Sequence, residues 1–195
     1  MKLRGLYAIT PEGPGLIEKV RAALEGGVSL LQYRNKAARL SEAQALAALA
    51  RRYHVPLIVN DDVDLALEIG AQGVHLGRDD GDLAIARRKM KGKILGASCY
   101  DDLEAARAAV QAGADYVAFG SVFASPTKPG AVRAPLGLFE EAKSLKVPLA
   151  AIGGITLENA PAVIAAGAGL LAVVSDLFDA TDIRRRALQY GKLFQ

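Results

Sequence analysis

Short hydrophobic runs follow glycine at similar intervals along this chain. Four helix-like stretches end in Gly-Gly or Gly-Ala, at residues 26–27, 70–71, 113–114 and 167–168, and an apolar run follows each pair. Glycine ends a helix readily because it adopts the left-handed backbone conformation without a Cβ penalty. An unbroken apolar run after it is typical of a strand that is buried on both faces of a parallel sheet.

The segments between these pairs continue the alternation of strands and helices. Strands are expected at residues 6–9, 30–33, 56–59, 73–76, 94–98, 116–119, 148–152 and 170–174. Helices are expected at 15–24, 41–52 (with Ser41 as its N-cap), 63–69, 83–90, 103–112, 136–145, 157–166 and 183–193. Eight such units predict a single (β/α)8 TIM-barrel domain over residues 1–195, with minimal loops. Such barrels carry their chemistry at the carboxyl ends of the strands.

Composition narrows the classes of function. The 195 residues carry 24 Lys and Arg against 21 Asp and Glu, a net charge of +3, and the basic residues are spread over predicted helices. We therefore expect no nucleic-acid partner. The single cysteine, Cys99, excludes an intrachain disulfide and is expected to be a buried apolar side chain. We find no signal peptide and no membrane-spanning run, which favours a cytoplasmic protein without membrane contact.

Two cations follow the second predicted strand. Arg34 and Lys36 are two residues apart, so in an extended segment their side chains point the same way. A multiply charged anion suits such a pair, since Arg can bind phosphate oxygens in a bidentate manner. A basic loop that merely faces solvent is the alternative.

Acidic residues follow the next two predicted strands. The third strand leads into Asn60-Asp61-Asp62, and the fourth leads into Asp79-Asp80. Magnesium is usually held by one or two carboxylates together with substrate phosphate oxygens. Capping of the following helices is the alternative, particularly for Asp62 and Asp79. Two acidic clusters beside a cationic strand end favour a magnesium site.

The fifth strand ends in a hydroxyl group without the partners of a nucleophile. Neither a His nor a carboxylate marks Ser98 as activated, so we expect it to bind a ligand rather than attack one. His54 at a helix end and His75 within a strand are expected to have no catalytic role.

Phosphate-binding features follow the last three strands. The loop at residues 124–135 is long for so compact a chain and is rich in Pro, Gly, Ser and Thr, which favours a functional role. Gly153-Gly154 and Val174-Ser175 follow strands seven and eight, where barrels frequently bind phosphate through backbone N–H groups. Two separate phosphate sites imply two phosphorylated substrates or one bisphosphate.

Together these motifs resemble those of the thiamine phosphate synthase family. The matching segments include Gln32-x-Arg34-x-Lys36, Leu57-Ile58-Val59-Asn60-Asp61, Gly73-Val74-His75-Leu76-Gly77, Gly96-x-Ser98, Ser125-Pro126-Thr127-Lys128, Ala151-Ile152-Gly153-Gly154-Ile155 and Val173-Val174-Ser175. Each is weak alone, whereas their order and spacing are specific. The resemblance implies a Mg²⁺-dependent transferase of thiamine biosynthesis. Such an enzyme joins 4-amino-2-methyl-5-hydroxymethylpyrimidine diphosphate to 4-methyl-5-(2-phosphoethyl)thiazole and releases diphosphate.

The resemblance also implies a role for each matching residue. The pyrimidine diphosphate is assigned to Gln32, Tyr33, Arg34, Asn35, Lys36, Asn60, Ser98 and Lys128, of which Arg34, Lys36, Ser98 and Lys128 are implied to be catalytic. The thiazole phosphate is assigned to Ser125, Pro126, Thr127, Gly154, Val174 and Ser175, and magnesium to Asp61 and Asp80. The implied path is dissociative, because the thiazole nitrogen attacks a pyrimidine cation and needs no general base. The partners are then two phosphorylated small molecules, and assembly into a homo-oligomer stays open.

Departures from the family pattern are modest. Thr10 stands where members often carry an acid, and Tyr33, Asn35 and Ser125 stand where Leu, Glu and Thr are common. Tyr100 occupies a position where many members, and the related thiazole tautomerases, have His. A tautomerase of the same fold is the nearest alternative, and retention of the implied diphosphate and metal residues argues against it. A phosphosugar isomerase, which needs a base at the mouth, and a non-catalytic phosphate-ligand sensor are the others.

Overall fold

Eight parallel strands close into a barrel. The computed structural model describes residues 3–37, 39–124 and 132–195. The strands, β1 to β8 in chain order, are Gly5–Ile9, Leu30–Tyr33, Leu57–Asn60, Gly73–Leu76, Ile94–Tyr100, Tyr116–Phe119, Leu149–Ile152 and Leu170–Val173. Each strand pairs with its neighbours in sequence, and β1 pairs with β8 to close the ring. The predicted (β/α)8 barrel is therefore confirmed.

Helices follow the strands around the outside of the barrel. In the described ranges they are, as α1 to α9, Leu16–Glu25, Leu40–Arg52, Val63–Glu68, Leu83–Lys89, Leu103–Gln111, Gly137–Ala142, Ala160–Ala166, Ser175–Phe178 and Ile183–Lys192. The prediction of Ser41 as an N-cap is wrong, because α2 begins at Leu40 and its N-cap is Arg39. The short α8 was not predicted, since four residues are too few to show helical periodicity. Within the part of the chain that the structure describes, none of these helices has the length and apolarity to cross a membrane.

The glycines that indicated the repeat do end helices in the left-handed conformation. Gly27, Gly70, Gly113 and Gly167 have φ of 90°, 65°, 100° and 121°. The strands that follow them, β2, β4, β6 and β8, are buried along their whole length. They are buried on both faces because one face packs in the barrel interior and the other against the helices.

The hydrophobic core has two parts, one on each side of the barrel wall. The larger part lies between strands and helices and includes Cys99, which is buried as expected. The smaller part fills the barrel interior with Leu3, Tyr7, Ile9, Leu30, Ile58, Tyr116, Ala118, Ala150, Leu170 and Ala172. A Cβ atom at Gly96 on β5 would collide with the ring of Tyr116. Glycine at this position therefore lets a tyrosine from β6 reach across the barrel.

Candidate active site

A cavity of about 530 Å³ opens at the carboxyl ends of β2, β3 and β4. Its polar lining comes from the loops predicted to carry the chemistry, and includes Arg34, Asn35, Lys36, Asn60, Asp61 and Asp80. Asn60 at the end of β3 lies opposite His75 on β4 in the sheet register. The barrel thus brings the cations after β2 and the carboxylates after β3 and β4 to one side of its mouth.

Two carboxylates meet across the ends of β3 and β4. The side chains of Asp61 and Asp80 are hydrogen-bonded to each other. The Gly77 N–H donates to Asp80 Oδ2 at 2.8 Å, and the Asn60 amide donates to Asp61. Burial, reinforced by Asp80, raises the pKa of Asp61 to about 6, and the charge of Arg34 opposes that rise. Carboxylates crowded in this way repel each other once both are ionised, and a divalent cation between them removes that repulsion.

The backbone directs the neighbouring acids Asp61 and Asp62 to different tasks. Asp61 has φ 65°, a left-handed conformation that costs a non-glycine residue about 1 kcal/mol. Its N–H donates to the His75 carbonyl at 2.8 Å, which fixes the turn to β4. Asp62 instead accepts from the Leu65 N–H at 2.8 Å and caps α3. The capping alternative therefore holds for Asp62, while Asp61 lines the cavity.

The corresponding alternative for Asp79 does not hold. The N-cap of α4 is Asp82, whose carboxylate accepts from the Ile85 N–H at 2.8 Å. Asp79 is exposed. It therefore provides a matched acidic control beside Asp80.

The carboxylate pair fits magnesium as its ion. Across the described ranges, no three His, Cys, Asp or Glu side chains converge on a common point. A cation between Asp61 and Asp80 would accordingly take its other ligands from water or a bound anion. Mg²⁺ accepts this arrangement because it prefers oxygen ligands and keeps several waters. Zinc usually needs three or four protein ligands rich in nitrogen and sulfur.

Two residues predicted to bind the pyrimidine diphosphate have side chains committed to α2. The Tyr33 hydroxyl and the Asn35 amide both donate to Oε1 of Glu42, at 3.0 and 2.9 Å. Burial, followed by the bonded Glu42, raises the pKa of Tyr33 to about 12. These side chains support the loop after β2, so a ligand at positions 33 and 35 would meet the backbone.

The backbone of the cationic segment is anchored to the loop after β1. The Arg34 N–H donates to Thr10 Oγ1 at 2.9 Å, and the Lys36 N–H donates to Glu12 Oε1 at 3.3 Å. Thr10 is one of the departures from the family pattern. Its hydroxyl holds the strand end from which the Arg34 side chain leaves.

A chain of hydrogen bonds crosses the barrel interior beneath the mouth. The Gln32 amide nitrogen donates to the Tyr7 hydroxyl. The hydroxyls of Tyr7 and Tyr116 are 2.7 Å apart, and that of Tyr116 is 2.9 Å from His75 Nδ1. His75 Nε2 is 2.8 Å from Ser98 Oγ. Sequence reasoning identified both ends, Gln32 and Ser98, but missed the three residues that join them. Their inward positions on β1, β4 and β6 were the available signal.

His75 is neutral near neutral pH. Burial lowers its pKa to about 4, and the charge of Asp80 partly opposes that effect. Both ring nitrogens are bonded to hydroxyl groups. The imidazole therefore uses one nitrogen as a donor and the other as an acceptor.

We expect the buried His75 to make wild-type stability fall in acid relative to a His75→Gln variant. Because its folded pKa lies below the unfolded value, the unfolded chain binds the extra proton between about pH 6.5 and 4, and stability is lost as pH falls through that window. The difference in unfolding free energy between the two proteins should fall by about 2 kcal/mol from pH 7 to pH 5. Urea unfolding at both pH values measures it. A difference independent of pH would contradict the buried neutral imidazole. Asp61 titrates in the opposite direction but is present in both proteins.

The residues predicted for the thiazole phosphate lie across the mouth, after β7 and β8. Ile152 pairs with Ala172, which places Gly154 and Val174 at the same level of the barrel. Gly154 has φ 62°, and a Cβ atom there would lie 2.8 Å from that of Phe123 and closer still to the Ala124 carbonyl oxygen. Ser175 begins α8, and the first N–H groups of a helix have no intrahelical acceptor. Ser125, Pro126, Thr127 and Lys128 lie outside the described residues.

The α8 side of this phosphate cup (Gly154 with Val174 and Ser175) is tied to α9. The Tyr190 hydroxyl donates to Asp176 at 2.7 Å, with a longer contact of 3.5 Å to the Ile155 carbonyl. Arg186 donates to both Asp176 oxygens at 3.1 Å. Tyr190 is fully buried. It therefore holds α8 and contacts the loop after β7.

Tyr190→Phe should loosen the cup while keeping the ring in place. We expect a loss of about 1–2 kcal/mol in unfolding free energy and a several-fold rise in the KM of a phosphorylated thiazole. Tyr53→Phe is the matched control, since it loses a single exposed bond of 3.2 Å to Glu25. Thermal unfolding and steady-state kinetics measure both effects. An equal change in the two variants would contradict the structural role of Tyr190.

Comparison with known proteins agrees with this geometry. A family model described as thiamine monophosphate synthase matches residues 6–177. The thiamine-phosphate synthase of Aromatoleum aromaticum is 58% identical, with 99% of this chain and 97% of the relative covered. That of Azoarcus sp. is 54% identical, with 99% and 98% covered. The solved thiamine phosphate pyrophosphorylase from Pyrococcus furiosus has a TM-score of 0.88 at 37% identity, with 99% and 96% covered. The chain therefore belongs to the thiamine monophosphate synthase family.

Proposed function

We propose that this enzyme condenses 4-amino-2-methyl-5-hydroxymethylpyrimidine diphosphate with 4-methyl-5-(2-phosphoethyl)thiazole, and that thiamine phosphate and diphosphate are its products. Family membership supports the reaction. The observation that carries the assignment is the asymmetry of the barrel mouth. A carboxylate pair flanked by cations lies on one side, and a glycine-containing backbone cup lies on the other. The first suits a metal-bound diphosphate and the second suits a monophosphate.

In this proposal, Asp61 and Asp80 hold Mg²⁺. When bound, the ion supplies positive charge that stabilises the departing diphosphate. Arg34 lowers the pKa of Asp61 through its charge, which places its guanidinium near the same point. Lys36 lines the same cavity, and the sequence adds Lys128 to these cations. Charge that grows on the leaving diphosphate is therefore met by preorganised positive groups.

The barrel residues then orient the two reactants. The bond between the pyrimidine methylene carbon and the diphosphate oxygen breaks, and the oxygen keeps the electron pair. The amino group of the pyrimidine donates electrons to the resulting cation, and the thiazole nitrogen attacks it. A nitrogen lone pair needs no general base, and His75 has both ring nitrogens occupied by hydroxyl groups. The same observation argues against an isomerase that would use His75 as its base.

Product analysis tests the proposal directly. The protein is mixed with both phosphorylated precursors and Mg²⁺, with each precursor alone, and with both plus a chelator. We expect thiamine phosphate and diphosphate in equal amounts, only when both precursors and the metal are present. Conversion of a thiazole phosphate tautomer alone would support the tautomerase alternative. Binding of both precursors without any product would support the sensor.

A further inference from the structure

The hydrogen-bond chain in the barrel interior joins two residues from opposite parts of the predicted pyrimidine site. Gln32 on β2 and Ser98 on β5 are its ends, and Tyr7, Tyr116 and His75 lie between them. The three connecting side chains are between 0% and 7% exposed. Water is thus excluded from the middle of the chain, and each proton must find its acceptor within it.

Proton counting leaves one complete arrangement when the Gln32 nitrogen faces Tyr7. The Tyr7 oxygen accepts from Gln32, so its own proton goes to Tyr116. The Tyr116 proton then goes to His75 Nδ1, and the proton on Nε2 points to Ser98. In the reverse direction, Tyr7 would accept from both Gln32 and Tyr116. Its buried phenol proton would then have no acceptor in the chain.

We propose that His75 is a positioning residue, fixed by Tyr116 and Tyr7 as the Nε2–H tautomer, that makes Ser98 a donor and Gln32 an acceptor at the mouth. The Ser98 oxygen accepts from His75, so its hydroxyl proton is directed to the ligand. The Gln32 nitrogen is used by Tyr7, so its carbonyl oxygen is directed to the ligand.

This polarity matches an aminopyrimidine diphosphate, and that match rests on the proposed function. Diphosphate oxygens only accept hydrogen bonds, so Ser98 must donate to them. The exocyclic amino group donates, so Gln32 must accept from it. An acceptor on that N–H also favours release of electron density into the ring as the diphosphate departs. The chain thus sets both ends to the polarity that one substrate requires.

The tautomer is tested first, on the wild-type protein without substrates. Long-range proton–nitrogen spectra of histidine-labelled protein contain signals from two residues, since the chain has two histidines. A His75→Gln variant assigns the His75 signals. We expect a proton on Nε2 and a bare Nδ1 near neutral pH. An Nδ1–H tautomer or an imidazolium would overturn the proposal whatever reaction the enzyme catalyses.

Kinetics then test whether the relay acts through Ser98. Tyr116→Phe should lower kcat/KM for the pyrimidine diphosphate roughly tenfold, the cost of about one neutral hydrogen bond, with the KM of the thiazole phosphate within about twofold. His75→Gln should retain more activity than His75→Leu, because an amide can also accept from Tyr116 and donate to Ser98. In a Ser98→Ala background, Tyr116→Phe should have little further effect.

Cys99→Ala is the matched control. Cys99 neighbours Ser98 but is buried in the outer part of the core, so the variant should lower the melting temperature and leave pyrimidine kinetics unchanged. Equal losses for both substrates, or full additivity with Ser98→Ala, would reduce His75 and Tyr116 to structural residues and overturn the proposal. A wild-type protein that forms no thiamine phosphate would instead overturn the proposed function, and the spectra would still decide the tautomer.

Discussion

Replacing Asp61 or Asp80 by alanine is expected to abolish turnover while the barrel stays folded. Each change removes one of the two carboxylates that would hold the ion against the leaving diphosphate. Stabilisation of charge by a metal ion is worth several kcal/mol, so turnover should fall by roughly a thousandfold or more. The matched control is Asp79→Ala, because Asp79 is exposed, is one residue away and caps no helix. Near-normal turnover in both single variants would contradict the metal assignment.

The same variants should separate metal binding from folding. The pKa of Asp61 is raised to about 6, so its ionisation costs stability as pH rises through that value. Removing either carboxylate relieves this repulsion. We therefore expect metal-free Asp61→Ala and Asp80→Ala to be no less stable than wild type above that pH. Wild type should gain melting temperature when Mg²⁺ is added with diphosphate, and both variants should lose that gain. A gain retained by the variants would place the ion elsewhere.

Gly154→Val is expected to block the phosphate cup. The added side chain would collide with the Ala124 carbonyl oxygen and with Phe123, and φ 62° is a conformation that β-branched residues avoid. We expect the KM of the thiazole phosphate to rise by roughly a hundredfold, about the loss of two or three backbone hydrogen bonds to an anion. The KM of the pyrimidine diphosphate should change little, because its cavity lies after β2, β3 and β4. Steady-state kinetics with each substrate varied in turn measure both constants.

Gly92→Val separates the collision from backbone strain. Gly92 has φ 77°, but a Cβ atom there meets nothing within 4 Å. This control should lose about 1–2 kcal/mol of stability from the left-handed conformation alone and keep both Michaelis constants. If Gly154→Val weakened both substrates equally, two distinct phosphate sites would be excluded.

Local sequence determined the barrel and the groups at its mouth. Glycines at 27, 70, 113 and 167 and the apolar runs after them are sufficient for the fold, because helix ends and doubly buried strands depend on nearby residues. The polar residues directly after each strand also follow from local order, which is how Arg34, Lys36, Asp61 and Asp80 were found. The short α8 and the start of α2 were not determined locally. One has too few residues to show a period, and the other begins after an arginine that has no capping side chain.

Tertiary structure decided what those groups do. It turned Tyr33 and Asn35 towards Glu42 on α2, although their sequence positions fit the cavity equally well. It also joined Tyr7 to Tyr116, which are 109 residues apart, in a buried hydrogen-bond chain. Closure of the barrel causes both results, since it sends alternate residues of every strand to a shared interior and the others to the helices. The sequence by itself therefore determines which side chains reach the barrel mouth, whereas the hydrogen-bond partners that orient them exist only once β1 meets β8.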